Sequence, residues 1–548
     1  MSDALLTGVA GLKAHQKMLD VAGNNLANVN TTAFKSSRVS FVDLLSETIR
    51  EASQPTGTLG GTNPEQVGSG VKVASIDRNT TQGSLINTGQ SLDMAVEGTG
   101  FFVLNNGQRD VYTRSGNFAV DSQYYLVDPS TGFRVQRIGA EGVAEGFQSA
   151  SDNGIRIPYD VALEAEATQT VSYTGNLSAD DVDPTTHTLS SGIQYTDVGG
   201  PASTDTVLNS LDQSSGLANG DTITIDVTRR DGTTATATFN ITDPATQTLG
   251  DLVTAINTAY GAGTTATVVN GKIRVRDDAA GYSQSDLTLS YTGGGSFEFP
   301  KYFQIMEPGG ESVKATNMEI YDSQGIGHTL SVSFVRSATN TWDMVLTSMT
   351  GDVELVDRRI TGVSFLVDGS YAGLAGTPPD NQSFSMKFGH DPNNTRTIEV
   401  DLGTVAGVDG LSQFGGTSTA SASAQDGYAS GWLTDVSVTR EGVLMGVFEN
   451  GVRVEVAALK LAAFQNPAGL DAVGNNYFQA SANSGSPVET RALSGGTGAI
   501  HGGALEKSNV DTAEQFVTLI QAQNGYQANA RTIRVTNDML KELTNLIR

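Results

Sequence analysis

Near the N-terminus, Leu5, Val9, Leu12, Gln16, Leu19, Gly23 and Leu26 recur at alternating steps of four and three. That is the a/d stripe of a helix that packs on another helix. The far end repeats the pattern with Leu519, Ala522, Tyr526, Ile533, Leu540, Leu543 and Ile547. The preceding "SNVDTAE" offers Ser508, Asn509 or Asp511 as a helix cap. At 1.5 Å per residue, helices over 2–28 and 508–547 reach roughly 40 and 60 Å. Helix at the start and helix at the end, each with β texture inside it, suggest nesting, with each inner domain inserted into the one outside it.

The stripes are impure. Gln16, Gly23, Asn529 and Thr536 interrupt them, and the opposite faces carry Ala, Gln, Asn and Thr rather than many charges. One reading is a two-helix coiled coil joining the termini of a single chain. The other is an assembly that covers both faces, since an exposed helix would carry more Lys and Glu outside. Charge favours assembly. Residues 1–50 hold five basic and four acidic side chains and residues 505–548 five of each, so the ends sum to +1. The net charge of −26 therefore leaves −27 on the middle, and near-neutral ends can crowd together while an acidic middle stays solvated.

Between the ends the texture is short strands and turns, in keeping with 63 Gly. Residues 30–70 read as an extended, Gly/Pro-rich connector anchored by Phe34, Phe41, Leu44 and Leu45. Alternating apolar and polar residues mark a first β domain over 71–161 and 427–505, and an outer β domain over 162–202 and 294–426. Inside the latter, 203–293 reads as a small α+β module. It has a hairpin across Asp231-Gly232, the amphipathic helix "TLGDLVTAINTAYG" and two further strands. The expected fold class is multidomain and mainly β, with nested β domains, a terminal α-helix pair (1–29 and 506–548) and this inserted module.

Chemistry is sparse. The absence of Cys excludes disulfides, thiolate metal sites and cysteine nucleophiles. The net negative charge argues against nucleic acid. The N-terminus lacks a basic region followed by an apolar core, so no cleavable signal is expected, and no window is apolar enough to enter a membrane. His15, His187, His328, His390 and His501 show no metal-ligand spacing, and His328 reads as a hydrogen-bonded turn residue. Asp277-Asp278 and Asp180-Asp181-Asp183 lack the ligand pattern of a calcium loop and read as solvated turns. No nucleophile elbow, phosphate loop or dinucleotide fingerprint is present. No catalytic, metal or cofactor-binding residues are assigned.

Three stretches carry a family resemblance. "LDVAGNNLANVNTTAFKSSRVSF" resembles the N-terminal motif of flagellar rod and hook proteins. "GSLINTGQSLDMAVEGTGFFVL" with "YTRSGNFAVD" resembles the first β domain of that axial family, and "GGALEKSNVDTAEQFVTLIQAQNGYQANARTIRVTNDMLKELTNL" its closing helix. "VSYTGNLSAD", "REGVLMGVFENG" and "FQNPAGLDAVGNNYFQASANSGSP" resemble its hook members in particular, and 203–293 looks like a module inserted in some flagellins and hook proteins. Ala33 stands where many relatives carry Gly, which suggests a backbone there that need not be left-handed.

The resemblance implies a structural, non-enzymatic subunit of the flagellar hook, polymerised as a flexible helical tube that carries torque from rod to filament. It implies no cofactor. The implied partners are further copies of the chain, the distal rod protein, the hook cap, the hook–filament junction protein and the flagellar type III export apparatus, with no nucleic acid and no membrane insertion. The terminal helices are expected along the inner wall and disordered in the free monomer. The assembly interface is expected at Leu5, Val9, Leu12, Leu19, Asn24, Asn25, Leu26, Asn28, Asn30 and Phe34, and at Leu519, Tyr526, Ile533, Leu540, Leu543 and Ile547. In "NNLANVNTT", Asn and Thr side chains can satisfy the freed backbone groups of a helix end or reach a neighbour. Alternatives are a distal-rod or hook-associated junction protein, a secreted adhesive or carbohydrate-binding β protein with an exposed aromatic platform, and an enzyme.

Overall fold

Alternation of period two dominates the chain, and the structure is accordingly a set of sheets bracketed by helices. It is a computed structural model that describes residues 2–57, 59–180, 182–376 and 381–546. Its α-helices among the described residues are α1 (Ser2–Ala27), α2 (Leu249–Tyr260) and α3 (Thr512–Leu546). The chain divides into two units, residues 1–163 with 431–548, and residues 164–430.

In the first unit α1 and α3 pack antiparallel. Gly8 faces Ile533 and Asn529, Gly11 faces Asn529, and His15 faces Gly525. Residues 30–70 depart from the expected connector. Strand β1 (Ser37–Asp43) leads into the hairpin β2 (Ser46–Arg50) and β3 (Glu65–Gly68), and β4 (Val71–Arg78) returns antiparallel to β1, from Ser37↔Arg78 to Asp43↔Val71. The pairing escapes a composition-based reading because Gly and Pro are confined to the turn region, leaving "SRVSFVD" and "VKVASIDR" free to alternate. Beyond β4 the two halves of the chain interleave. Leu461 pairs with Phe102, Tyr477 with Thr113, Ala499–Gly502 with Met94–Glu97, and Ala504–Glu506 with Leu85–Asn87. Phe102, Val103, Leu104, Leu461 and Ala462 are wholly buried, so the middle of the chain leaves and re-enters through one shared core.

The second unit holds two cores. One joins a five-stranded antiparallel sheet to a six-stranded mixed sheet in which Thr170–Ser178 runs parallel to Asp391–Asp401 and Leu411–Phe414. Trp342 lies wholly buried within it. The other surrounds α2, which begins in a Thr248–Asp251 capping box and buries Leu249, Leu252, Val253, Ile256 and Tyr260. The expected hairpin joins Thr222–Thr228 to Thr234–Asn240, with Gly232 at φ 82°. This core runs from Leu189 to Ile305 and takes in Val335 and Val345, so it is wider than 203–293. Its flanking strand Thr188–Ser191 pairs with both Lys272–Asp277 and Phe303–Glu307, and four residues are too few to show a period.

Two polar expectations resolve differently. His328 is hydrogen-bonded as expected, to Thr350 O through Nδ1 at 2.8 Å and to Asp322 through Nε2 at 3.2 Å, but from the start of the strand Gly327–Ala338 rather than from a turn. Asp277 is not in a solvated turn. It is buried and accepts hydrogen bonds from Thr264 (3.0 Å) and Ser285 (2.8 Å). Asp181 lies outside the described residues.

Candidate assembly site at the helix-to-sheet junction

A helix that ends without Gly or Pro must satisfy its last carbonyls by other means. In α1 the backbone N–H of Asn28 donates to Asn24 O and Asn25 O (3.2 Å each) while its side chain donates to Asn24 O at 2.9 Å. Thr31 then donates to Asn28 through both backbone (3.1 Å) and hydroxyl (3.1 Å). The chain thus unwinds through successive turns. At Ala33 it reaches φ 58°, so the expectation that Ala here frees the backbone from the left-handed region is overturned. The conformation is held from outside, because Ala33 N–H donates to Glu506 O at 2.8 Å and the residue is 2% exposed. An alanine in that region costs about 1–2 kcal/mol relative to right-handed backbone, which this fixed contact offsets.

Asn25 is the pivot. Its side chain is buried, donates to Ser37 O (2.7 Å) and Gln515 Oε1 (3.0 Å), and accepts from Ser37 N–H (2.9 Å). One amide therefore joins the end of α1, the start of β1 and the first turn of α3. Asn509 does the same from the other side, accepting from Ser36 N–H (2.7 Å) and donating to Asn79 O (2.9 Å) and Thr81 O (3.0 Å). With Asn509 so engaged, the cap of α3 falls to Asp511, which accepts from Ala513 N–H at 2.8 Å. Below this lies a buried ion cluster. Glu506 accepts from Lys35 Nζ (2.6 Å) and Gly83 N–H (2.8 Å), with Arg114 at 3.8 Å. Burial pulls the Lys35 ammonium below its usual range, and Glu506 opposes that shift. Such a pair adds little stability but is costly to break, so it fixes geometry.

The sequence-assigned interface residues fall into three groups. Leu5, Val9, Leu12, Leu19, Leu26, Asn28, Phe34, Leu519 and Ile533 are half-buried and Asn25 is buried. Asn24, Asn30, Tyr526, Leu540 and Leu543 are exposed, and Ile547 lies outside the described residues. The seam between α1 and α3 runs on Gly8, Gly11 and His15 against Asn529, Ile533 and Gly525, of which the sequence assignment named only Ile533. Spacing alone carried that signal, since Gly8, Gly11, Ala14, Ala22 and Asn25 share the buried side of α1. Small residues let the helices approach closely and leave the large ones outside. Phe516, Val517, Ile520, Val535, Met539 and Leu546 of α3 are each more than half exposed, and Leu6 of α1 is 61% exposed. Continuing the Gly8–Ile533 register by six residues sets Ser2 level with Met539, so α3 extends past the start of α1 with Leu540, Leu543 and Leu546 uncovered.

Comparison with known proteins bears on this same region. The C-terminal model of the flagellar basal body rod FlgEFG proteins matches residues 501–546, and that of the flagella basal body rod protein matches 5–35. The D1 domain of flagellar hook protein FlgE/F/G matches 95–179, and the FlaE D2 domain of flagellar basal body protein matches 294–428. The flagellar hook protein FlgE of Treponema pallidum is 33% identical, with all of both chains covered. The chain belongs to the flagellar hook protein FlgE family. Its FlgE relatives from Borreliella burgdorferi and Escherichia coli are 31% and 26% identical, covering 100% and 99% of this chain and all of each relative. Within the family frame, Asn25 and Lys35 lie in the N-terminal match, Glu506 and Asn509 in the C-terminal one, and Arg114 in the D1 match. The polar knot is thus where three family segments meet.

Proposed function

We propose that this chain, a structural subunit of the flagellar hook, self-assembles through α1 and α3 into the flexible helical tube that transmits torque from rod to filament. The observation that carries the reading is the apolar surface left on the helix pair. The seam consumes small residues, while Phe516, Ile520, Val535 and Met539 stand more than half exposed along α3. A contiguous apolar surface on a soluble chain marks an interaction site. Copies joined by unlike surfaces whose rotation does not close build an open helix rather than a ring. The Asn25 and Asn509 knots hold the helix bases at a fixed register on the sheet, so force on the helices reaches the β layers through hydrogen bonds rather than a slack connector. By the same reading its partners are other copies, the distal rod protein, the hook cap, the hook–filament junction protein and the type III export apparatus. An adhesive role finds little support, because an aromatic platform needs several exposed rings and Trp342 is buried, with Trp432 exposed elsewhere.

Electron microscopy of the full-length chain under polymerising salt is the direct test. Tubes from the unaltered chain and none from Met539→Asp/Leu543→Asp are expected. Both residues are exposed, so monomer stability should be unchanged. Tubes from the double variant would place the contact elsewhere.

A further inference from the structure

Beside the polar knot, within the first unit, lies a cavity of about 560 Å³. Its walls are the rings of Phe101, Phe464 and Phe478, and its charges are Lys35, Arg78 and Arg114. No Asp or Glu lines it, in a chain of net charge −26. Arg78 sits over the Phe478 ring at 4.7 Å and Arg114 over Phe101 at 5.2 Å. Arg114 is buried, yet its Nε has no hydrogen-bond partner. The carboxylate nearest the cluster is Glu506, against Lys35 at 2.6 Å and Arg114 at 3.8 Å. Asp471 acts on Arg78 from outside the lining, so three cations face two carboxylates and the site keeps one positive charge in excess. Burial lowers the affinity of all three cations for their protons, as it does where charge is desolvated without full compensation. Such a cavity suits an occupant that brings carboxylates and large apolar side chains together.

The same unit carries a segment with the complementary chemistry. Every residue of β2 and β3 is exposed. Leu45, Ile49, Leu59 and Val67 are 89%, 64%, 73% and 49% exposed. The segment holds Glu47, Glu51 and Glu65 against Arg50, a net charge of −2. A two-stranded hairpin with neither face covered is marginal in water, and exposed apolar edges invite a partner. Its own cavity is out of reach. Gly70, at the hairpin's base, lies against Thr7 and Ala10 near the start of α1, while Lys35 lies beyond the helix end at Ala27. From Thr7 to Ala27 is roughly 30 Å of helix, and β1 runs away from the cavity into the hairpin.

We infer that the cavity is the receptor for the β2–β3 hairpin of a second copy of this chain, the hairpin's apolar side chains meeting the three rings and its glutamates meeting Arg78 and Arg114. The inference rests on the self-assembly proposed above and adds a donor and an acceptor at opposite ends of α1. A contact of that kind joins unlike surfaces and, where its rotation does not close, propagates along a row of subunits.

The chain has no Cys, so a designed pair reads out cleanly. Leu59→Cys on the hairpin and Gln465→Cys, exposed at the cavity rim, are combined in the full-length chain and treated with a short bismaleimide. Polymerised protein is expected to give a ladder of covalent dimers, trimers and higher species, with each single variant giving none above dimer. Tubes without a ladder overturn this inference and leave self-assembly standing, whereas an unaltered chain that never forms tubes overturns both. A second arm covers a double variant that fails to polymerise. Arg78→Glu alone and Glu51→Lys/Glu65→Lys alone should each raise the concentration needed for tubes about tenfold, and their combination should restore it. Additive losses in the combined variant overturn the contact. Melting curves of the monomers check that Arg78→Glu leaves the fold intact.

Discussion

At the scale of single residues, the N-terminal asparagines divide their labour. Asn24 and Asn30 are exposed, Asn28 shapes the turn after α1, and Asn25 alone is buried with three hydrogen bonds to two other elements. Residue type made the cluster legible as a place where backbone groups are satisfied by side chains. It did not distinguish its members, because burial depends on which side of the helix faces the sheet. Replacing Asn25 by Ala leaves the N–H and C=O of Ser37 without partners, and an unsatisfied buried group costs about 1–3 kcal/mol. Asn25→Ala should therefore destabilise the first unit by roughly 2–3 kcal/mol, read as a lower midpoint in denaturant with an unchanged slope. Asn24→Ala, at an exposed position, is the control and should shift the midpoint little. Equal effects of the two would mean that Asn25 is not the pivot. Ala33 is the opposite case. Nothing in the sequence marks its positive φ, because the hydrogen bond that holds it comes from Glu506, at the far end of the chain.

At the scale of elements, both terminal helices were legible from period and capping, and their mutual face was not. The leucine stripe and the glycine side of α1 are rotated from one another, and hydrophobic weighting selects the former. In a monomer such weighting usually finds the core. Here the large apolar residues are left half-covered while Gly8 and Gly11 meet α3. Two glycines in the same helix separate the effects. A Cβ on Gly11 would stand 2.5 Å from Asn529 Oδ1, whereas Gly23 has nothing within 4 Å. Alanine in place of an interior helical glycine gains about 1 kcal/mol from propensity. Gly23→Ala should thus raise the stability of the folded helix pair by about that amount. Gly11→Ala should lower it, since the clash at a closely packed seam outweighs the gain, at a cost of about 1–3 kcal/mol. Far-ultraviolet circular dichroism during thermal unfolding reports both. Stabilisation by Gly11→Ala would mean that α1 and α3 do not pack through this side. The paired strands β1 and β4 belong to the same lesson: their alternation is present in the sequence, but a Gly/Pro-rich turn region between them obscures it.

At the scale of the whole molecule, the nested order is legible because the strand texture on either side of the middle can be completed only by pairing across it, as Leu461 with Phe102 and Tyr477 with Thr113 do. The extent of the core around α2 was less legible, since Thr188–Ser191 acquires its role from partners more than eighty residues later. Net charge acts at this scale too. In the assembly proposed above, ends of +1 and a middle of −27 make the surfaces that α1 and α3 would bring together close to neutral, while each subunit repels the next through its remainder. The Debye length falls from about 30 Å at 0.01 M salt to about 8 Å at 0.15 M, so added salt removes long-range repulsion between neighbours. It removes little from an apolar helix interface, and excluded anions such as sulfate strengthen apolar burial further. Ion pairs between hairpin and cavity would weaken with salt, yet they involve a few charges, against the repulsion of −26 on every subunit. Repulsion should win at low salt. Tube growth followed by light scattering is therefore expected to accelerate at least tenfold between 0.01 and 0.15 M sodium chloride, and to be faster in sulfate at equal ionic strength. Growth that slows over that range would mean that attraction between charges, rather than the apolar helix surface, drives the subunits together.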